Sequence, residues 1–398
     1  MKLSEVCLNI VDCPHSTAPD EGSGYALVRT PNIGKGRFNL EGVHRISEAA
    51  YKKRCARITP TVNDLILARE APAGNVAIIK ENMEPLALGQ RTVLIRPNPE
   101  KVCPDFLVYY LLAPQQQNEL LGRATGATVA HVNIPIINNL PVSLPPLETQ
   151  QKIAGILSAY DDLIENNRKQ IKLLEEAAQK LYKEWFVKLN FPGHENVKIV
   201  DGIPEGWKKG ILSDFGDIIT GKTPSKKNIN FFGNKIQFIK IPDMYKGVYT
   251  INSDEHLSKE GAESQKNKFI PAGSLIVSCI GTAGLVCIAY EKCQTNQQIN
   301  SIILINPSTI YYLYFFIKSK KKYLEALGSN GATMVNVNKD KFGKIEVIIP
   351  ENSIMNSFSN FVAPYFERIK SLQNQIQLLQ SARDKLLPKF MNGEINVK

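Results

Sequence analysis

One segment of the sequence matches a phosphate-binding pattern. Residues 216–223 read GDIITGKT, which fits the GxxxxGK[ST] pattern of P-loops. A P-loop needs a buried strand before the glycines and a helix after them, so that the amides of the helix N-terminus face the phosphates. Here Pro224 follows Thr223 directly, and the residues before Gly216 lack the apolar run of a buried parallel strand. A nucleotide-binding protein that uses Gly216–Thr223 is therefore a disfavoured alternative.

Other patterns of catalytic residues are weaker. Residues 144–147 (LPPL) contain two prolines but lack the acidic or Asn residue before them and the aromatic residue after them that a methyltransferase would need. Paired carboxylates and a nucleophile elbow are not evident. The seven cysteines form no CxxC pair and the five histidines are scattered, so we expect no metal site. The sequence predicts a non-catalytic binding protein.

Polar side chains suited to reading base edges lie in predicted loops. Arg and Lys suit guanine O6 and N7, and Asn and Gln suit adenine N6 and N7, in the major groove. A net charge of +10 favours such a polyanionic partner. The candidate DNA-binding residues are Lys35, Arg37, Arg69, Arg91 and His131 in the first half, and Lys222, Lys226, Lys227, Lys240, Lys246, Gln297 and Gln298 in the second half.

The chain contains an internal repeat. Gly126-Ala127-Thr128 recurs as Gly331-Ala332-Thr333, a shift of 205 residues that also relates Tyr160 to Tyr365. Upstream the match is looser, with a shift of 209 to 211. Each half is therefore predicted to be a variable globular unit followed by a more uniform tail. This organisation suggests shared assembly and separate recognition. Asn133 and Asn338 share a repeat position and are expected to be structural.

The two tails are predicted to be long helices. Apolar residues recur at a spacing of three and four in both tails. We expect Pro364 to kink the second helix and Pro388 with Gly393 to end it. A helix of about 40 residues is roughly 60 Å long and would overhang a single domain, so we expect an antiparallel coiled-coil pair. The alternative is that each helix lies on its own domain. The expected pairing residues are Ile156, Leu163, Ile171, Leu174, Leu181, Ile369, Leu372, Ile376, Leu379 and Leu386.

The globular parts are predicted to have an α+β fold. Short strand-like runs separated by Gly, Pro and Asn favour antiparallel pairing in two tandem mixed α/β recognition domains. The two halves, each with its long helix, are expected to form a pseudo-twofold repeat. The predicted limits are 1–148 for the first recognition domain, 149–191 for the central helix, 192–205 for a linker, 206–352 for the second recognition domain and 353–398 for the C-terminal helix.

Several strings resemble the specificity (S) subunits of type I restriction-modification systems. Residues 12–17 (DCPHST) and 220–225 (TGKTPS) resemble two openings of their target recognition domains. Residues 140–150 (LPVSLPPLETQ) resemble the junction between recognition domain and helix, and residues 379–393 (LQSARDKLLPKFMNG) resemble the C-terminal helix ending. The resemblance covers the whole chain. Residues 349–352 depart from the Pro-Pro-x-x-x-Gln junction, so the second docking surface is expected to differ in detail.

The resemblance implies that each recognition domain binds one half of a bipartite double-stranded DNA target. It also implies that the two helices set the spacing between the half-sites and dock two methyltransferase (M) subunits, to which restriction (R) subunits are added. S-adenosylmethionine, ATP and Mg²⁺ would be bound by those partners only, so no cofactor is expected on this chain. The sequence has no signal peptide or membrane-spanning run, so a cytoplasmic location is expected.

The cationic residues differ between the two halves. Residues 1–150 include nine arginines, whereas residues 192–356 include 20 lysines and no arginine. We therefore expect the second half-site to depend on adenine contacts from Asn and Gln, with guanine read by Lys if at all. The remaining alternative is a coiled-coil adaptor with no role in nucleic-acid binding. Such an adaptor would lack the salt-dependent DNA affinity that counterion release produces.

Overall fold

The computed structural model describes residues 1–123, 131–329 and 335–397. Contacts divide the chain into two units. Unit 1 comprises Met1–Glu165 with Gln377–Lys398, and unit 2 comprises Asn166–Ile376. Each unit therefore contains one globular part and a portion of both long helices. The repeated Gly-Ala-Thr strings at 126–128 and 331–333 lie outside the described residues.

Unit 1 is built on two small sheets. One sheet has the strand order β1-β7-β4-β5 with antiparallel neighbours, and the other has the order β3-β2-β6 with β2 and β6 parallel. The strands are β1 (Cys7–Asp12), β2 (Tyr25–Val28), β3 (His44–Ile46), β4 (Leu65–Ala68), β5 (Val76–Ile78), β6 (Leu86–Leu88) and β7 (Thr92–Pro97). The helices that begin in this unit are α1 (Glu48–Arg54), α2 (Pro104–Leu112), α3 (Pro114–Gly122), α4 (Ile134–Asn138) and α5 (Leu147–Tyr182).

The β4 strand shows why the first sheet is buried on both faces. All four residues of its LILA sequence are buried. Side chains alternate across a strand, so Leu65 and Leu67 pack with α2 and α5 residues such as Phe106 and Leu157, whereas Ile66 packs with the second sheet. Helices thus cover one face of the main sheet, and the smaller sheet covers the other.

Unit 2 has more strands but the same plan. Its main sheet has the order β11-β19-β16-β17-β14, and a second sheet has the order β12-β15-β13-β18. The strands are β8 (Ile199–Val200), β9 (Ile203–Pro204), β10 (Lys208–Ile211), β11 (Gly216–Thr220), β12 (Phe232–Gly233), β13 (Ile236–Ile239), β14 (Tyr249–Thr250), β15 (His256–Leu257), β16 (Leu275–Ser278), β17 (Val286–Ala289), β18 (Gln294–Thr295), β19 (Ile299–Leu304) and β20 (Glu346–Ile349). The helices are α6 (Ile241–Met244), α7 (Lys259–Glu263), α8 (Ile310–Ser319), α9 (Lys321–Gly328), α10 (Lys339–Gly343) and α11 (Asn352–Met391).

The two units repeat one topology. The order β1-β7-β4-β5 in unit 1 recurs as β11-β19-β16-β17 in unit 2, and the parallel pair β2 and β6 recurs as β13 and β18. The register also matches, since Leu65 lies opposite Ile95 as Leu275 lies opposite Ile302. The repeat predicted from the sequence is therefore present in the sheets as well as in the tails.

The predicted α+β class and both long helices are confirmed. The first long helix runs from Leu147 to Tyr182 and continues as a π-helical turn, Lys183–Val187. In agreement with the prediction that Pro388 and Gly393 end the second long helix, α11 ends at Met391, between these two residues. Phe390, in the last turn of α11, is buried in the core of unit 1. Among the residues that the structure describes, no helix is both long and apolar enough to cross a membrane.

Candidate nucleic-acid interface

Polar loops gather at one edge of the main sheet in each unit. In unit 1, β1 and β4 end and β7 begins at this edge, which brings together residues 12–15, 69–70 and 89–91. In unit 2, β11 and β16 end and β19 begins at the equivalent edge, which brings together residues 220–223, 279–280 and 296–298. We call these two sets the loop edges. They contain Arg69 and Arg91 in unit 1, and Lys222, Gln297 and Gln298 in unit 2; His131 contacts the edge of unit 1.

The backbone of the two loop edges is held by matching hydrogen bonds. In unit 1 these are the amides of Arg69 to the Arg91 carbonyl (2.8 Å), Cys13 to Thr92 (3.1 Å) and Val132 to Arg69 (3.0 Å). In unit 2 they are the amides of Cys279 to the Gln298 carbonyl (2.8 Å), Gly221 to Ile299 (3.0 Å) and Val337 to Cys279 (2.9 Å). Arg91 and Gln298 are therefore structurally equivalent, as are Arg69 and Cys279.

Arg69 holds the loop edge of unit 1 together from inside. Its side chain is 8% exposed, and its Nη1 donates to both carboxylate oxygens of Asp12, at 2.8 and 3.0 Å. Its Nε donates to the carbonyl of Val132 at 2.8 Å. These bonds occupy the guanidinium, so Arg69 supports the edge, and a base contact by this side chain would require breaking a buried ion pair.

His131 connects Arg69 to Glu70. The Arg69 Nη2 donates to His131 Nε2 at 2.8 Å, and His131 Nδ1 contacts the Glu70 carboxylate. Because a guanidinium has no hydrogen-bond acceptor, His131 Nε2 accepts the bond from Arg69 and the ring proton lies on Nδ1. His131 therefore links the guanidinium of Arg69 to the carboxylate of Glu70.

Arg91 is the exposed cation of the unit 1 loop edge. Its side chain is 60% exposed, and its Nε lies 2.8 Å from an oxygen of Glu70. The residue adopts φ = 63°, a left-handed conformation in the turn before β7. Glu70 thus orients the guanidinium, and among the described residues it is the one side chain that pairs with this cation.

The loop edge of unit 2 is formed by uncharged groups around one lysine. Thr223 Oγ1 donates to Gln297 Oε1 at 2.7 Å, and Asn296 Nδ2 donates to Gln298 Oε1 at 2.9 Å. Asn300 Nδ2 donates to the carbonyl of Val337 at 3.2 Å, the role that Arg69 plays for Val132 in unit 1. Lys222 is exposed beside these amides. The same backbone therefore presents charged groups in unit 1 and mainly amides in unit 2.

Several predicted cations are engaged elsewhere. Arg37 donates to Asp162 of α5 at 2.8 Å, which holds its loop on the helix. Lys240 pairs with Glu255. Lys246 is bonded to Asp243 and Asp254 at 2.7 and 2.5 Å. Partial desolvation lowers the pKa of Lys246, but these carboxylates outweigh it and raise the pKa above the ordinary value. Lys35, Lys226 and Lys227 are exposed outside the loop edges.

The P-loop alternative is contradicted by the local structure. Gly216–Thr220 form strand β11, so the first glycine of the pattern lies within a strand. The described chain continues from Gly221 to Asn228 without a helix, so no helix N-terminus faces a phosphate site at Thr223. In the described parts of the chain, no group of three or more His, Cys, Asp or Glu side chains could hold a metal ion.

Sequence reasoning missed the acidic members of the unit 1 loop edge, Asp12 and Glu70. Carboxylates do not attract DNA, so a search for cations passes over them. Asp12 is the last residue of β1 and Glu70 lies two residues after β4, so their place at the loop edge follows from the strand ends and not from residue type. Asn296 and Asn300 of unit 2 were missed for a related reason, because their hydrogen bonds depend on the register of β19.

Two of the predicted pairing residues do not lie on the buried face of α5. Ile156 and Leu163 are 37% and 51% exposed, whereas Leu157 and Ile164, one position later, are buried. The predicted stripe was one residue out of phase at these turns, a rotation of about 100°. Of the other pairing residues, Ile369 and Leu372 are buried, and the remainder are half-buried, namely Ile171, Leu174, Leu181, Ile376, Leu379 and Leu386.

Within each unit, side chains of α5 contact side chains of α11. In unit 1, Arg383 forms an ion pair with Asp161, and Ile153 and Leu157 share a core with Phe390. In unit 2, Asn167 Nδ2 donates to Gln375 Oε1 at 3.3 Å, Arg368 Nη2 donates to Gln170 Oε1 at 3.3 Å, and Tyr182 and Trp185 share a core with Phe358. Each long helix therefore contributes to the core of both units.

Known proteins resemble the whole of this chain. The family described as "Type I restriction modification DNA specificity domain" matches residues 1–176 and 204–379. The chain is 32% identical to the Type I restriction enzyme HindI specificity subunit of Haemophilus influenzae, over 83% of this chain and 86% of that protein. It is 30% identical to the MjaIX specificity subunit of Methanocaldococcus jannaschii, over 90% of this chain and 83% of that protein.

A solved structure supports the fold. The S subunit of a type I restriction-modification system from M. genitalium superimposes with a TM-score of 0.56, covering 98% of this chain and 95% of that chain. Its sequence identity is 14%, so the likeness concerns the fold alone. The family match covers both halves of the chain in repeated order, as the sheets and helices do. The chain belongs to the family of type I restriction-modification specificity subunits.

Proposed function

We propose that this chain is the DNA-specificity subunit of a type I restriction-modification complex and carries no catalysis of its own. Each recognition domain, 1–148 and 206–352, binds one half of a bipartite duplex target. The observation that carries this proposal is the loop edge, built twice on one backbone plan with different polar groups. Equal scaffolds with unequal donors and acceptors suit two half-sites of different sequence.

The partners that supply the chemistry would dock on repeat-equivalent apolar side chains of the long helices. Ile156 and Phe361, which the 205-residue shift relates, are 37% and 58% exposed. Tyr160 and Tyr365 lie one turn further along each helix and are related by the same shift. Two like surfaces suit two copies of one partner, the M subunits. S-adenosylmethionine would be bound by those subunits, and ATP and Mg²⁺ by the R subunits.

We also propose that α5 and α11 pair as an antiparallel coiled coil and set the spacing between the half-sites. The supporting contacts run in opposite order along the two helices: Asp161 meets Arg383 in unit 1, and Asn167 and Gln170 meet Gln375 and Arg368 in unit 2. Both helices pass from one unit to the other, so their length connects the two recognition domains.

Shortening both helices together should shorten the spacer. Removal of residues 163–169 and 374–380 takes seven residues from each helix, including the bonded pair Asn167 and Gln375. Seven residues make about two helical turns, so the remaining side chains keep their phase and each helix becomes ~10.5 Å shorter. At 3.4 Å per base pair, the spacer should lose about three base pairs. Mapping of methylated sites measures this change, with both half-site sequences as internal controls. An unaltered spacer in a variant that still methylates DNA would refute the coiled coil as a ruler.

The experiment that tests the proposed function is base-resolved mapping of adenine methylation in cells that express the M subunit encoded with this chain. We expect a bipartite motif when the chain is present and no such motif when the chain is omitted. Methylation that is the same with and without the chain would contradict the proposal. A steep fall of DNA affinity with rising salt would then distinguish direct DNA binding from a coiled-coil adaptor.

A further inference from the structure

We propose that the turn before β7 reads one base pair of one half-site through Arg91, and that the turn before β19 reads one base pair of the other half-site through Gln298. Arg91 would select guanine and Gln298 would select adenine. This inference rests on the proposed function and names residues that distinguish the two half-sites within it.

The two turns are held at both ends by matching backbone hydrogen bonds. Residues 89–91 join β6 to β7, and residues 296–298 join β18 to β19. The amide of Gly89 bonds to the carbonyl of Val28 at 2.7 Å, and the amide of Asn296 bonds to that of Ile239 at 3.2 Å. At the other end of each turn, the carbonyls of Arg91 and Gln298 accept the equivalent 2.8 Å bonds from Arg69 and Cys279. Arg91 and Gln298 therefore occupy the same position in the hydrogen-bond pattern of the two turns, although Arg91 has φ = 63° and Gln298 is not left-handed.

The two turns differ in the residue type at their last position. The middle residue of each turn is glutamine, Gln90 in unit 1 and Gln297 in unit 2, so this position alone cannot distinguish two half-sites. The last residue is arginine in one turn and glutamine in the other. Arginine suits the O6 and N7 atoms of guanine, and glutamine suits the N6 and N7 atoms of adenine.

The surroundings of Arg91 favour a base over a phosphate. Glu70 holds its Nε at 2.8 Å, and Asp12 lies on the same loop edge. Glu70 and Asp12 balance the charges of Arg91 and Arg69, so these four side chains offer a phosphate no net positive charge, and a base edge needs none because it is itself uncharged. The Glu70 contact also limits the rotamers of Arg91, which lowers the conformational entropy lost on binding. An arginine braced in this way is suited to a bidentate contact with guanine.

Gln298 is held by a neighbouring amide group, whereas Arg91 is held by a carboxylate. Asn296 Nδ2 donates to Gln298 Oε1 at 2.9 Å, which orients the amide group. At the positions of Arg69 and Glu70, unit 2 has Cys279 and Ile280, so neither of these two positions supplies a charged side chain to brace Gln298. An oriented amide that keeps one donor hydrogen and one acceptor lone pair available can bond adenine at N6 and N7.

The test uses the full chain together with its M subunits, and methylated sites are mapped at base resolution. Arg91→Gln should relax one position of one half-site from guanine, so that methylation at sites with other bases there rises about tenfold or more relative to guanine sites. A graft in unit 2, Gln298→Arg with Ile280→Glu, should change one adenine position of the other half-site to guanine. Arg123→Gln removes an exposed arginine that is also paired with a glutamate, and it should leave the motif unchanged.

The outcomes separate this inference from the proposed function. The inference is supported if each variant changes one base position and the two variants affect different half-sites. A motif unchanged by Arg91→Gln would overturn it while leaving the specificity function intact. If Arg91→Gln abolishes all methylation, the graft decides: a gained guanine supports the inference, and an unchanged or lost motif overturns it. If the unaltered chain directs no motif, the proposed function fails, and this inference fails with it.

Discussion

Replacement of Arg383 by methionine should destabilise the chain more than any change at the surface. Arg383 forms an ion pair with Asp161, a carboxylate that is only 3% exposed and that also accepts a 2.6 Å hydrogen bond from Tyr109. Loss of the cation leaves a buried, uncompensated carboxylate, which lowers the free energy of unfolding by about 3–5 kcal/mol. Urea denaturation followed by circular dichroism measures the loss.

Two further variants test that reason. Arg123→Met removes one member of an exposed ion pair with Glu119 on α3 and should cost less than about 1 kcal/mol. Asp161→Asn combined with Arg383→Met removes both charges, so it should be more stable than Arg383→Met alone. Equal stabilities of the Arg383 and Arg123 variants would show that the buried pair does not hold α5 and α11 together in unit 1.

Glutamate substitutions at the two repeat-equivalent apolar positions should abolish methylation without unfolding the chain. Ile156 and Phe361 are exposed on their helices, so a carboxylate is well solvated there in the isolated chain. In a complex the same carboxylate would be buried against an apolar partner surface without compensation. Native mass spectrometry of the complex should show two M subunits with the unaltered chain, one with either single variant and none with the double variant.

A matched control separates docking from a general effect of charge. Ile305 is 78% exposed and lies outside both helices, so Ile305→Glu should retain both M subunits and full methylation. The long helices also differ in detail, since Leu163 is apolar where the repeat places Arg368. We therefore expect the two single variants to weaken docking unequally. Two bound M subunits in the double variant would contradict the assignment of these surfaces.

The sequence predicts those parts of the fold that follow from the internal repeat or from a run of apolar residues. The 205-residue shift relates the two helices, and alternating or continuous apolar runs such as Leu65–Ala68 mark buried strands. The phase of the helical stripe was predicted less well. Ile156 and Leu163 fit a spacing of seven, but Asp161 and Asn167 occupy the buried face, and polar residues are not counted in an apolar stripe. Their buried positions depend on partners in α11.

The candidate site was predictable only in part. Arg69, Arg91 and His131 were predicted and do meet, but the sequence does not indicate which of them is exposed. The answer depends on Asp12 and Glu70, which are distant in sequence and are brought close by the pairing of β1, β4 and β7. Arg37 has the same residue type as Arg91 but bonds Asp162 on α5. Tertiary contacts, not residue type, decide which cation remains available.

The most direct test of independent half-site reading is exchange of one recognition domain. Residues 206–351, which end just before α11, are replaced by the matching segment of the Haemophilus influenzae HindI specificity subunit, and methylated sites are mapped. We predict that one half-site changes to a new sequence while the other half-site and the spacer length are retained. A change in both half-sites, or a motif identical to that of the unaltered chain, would contradict the account of two separate readers on one scaffold.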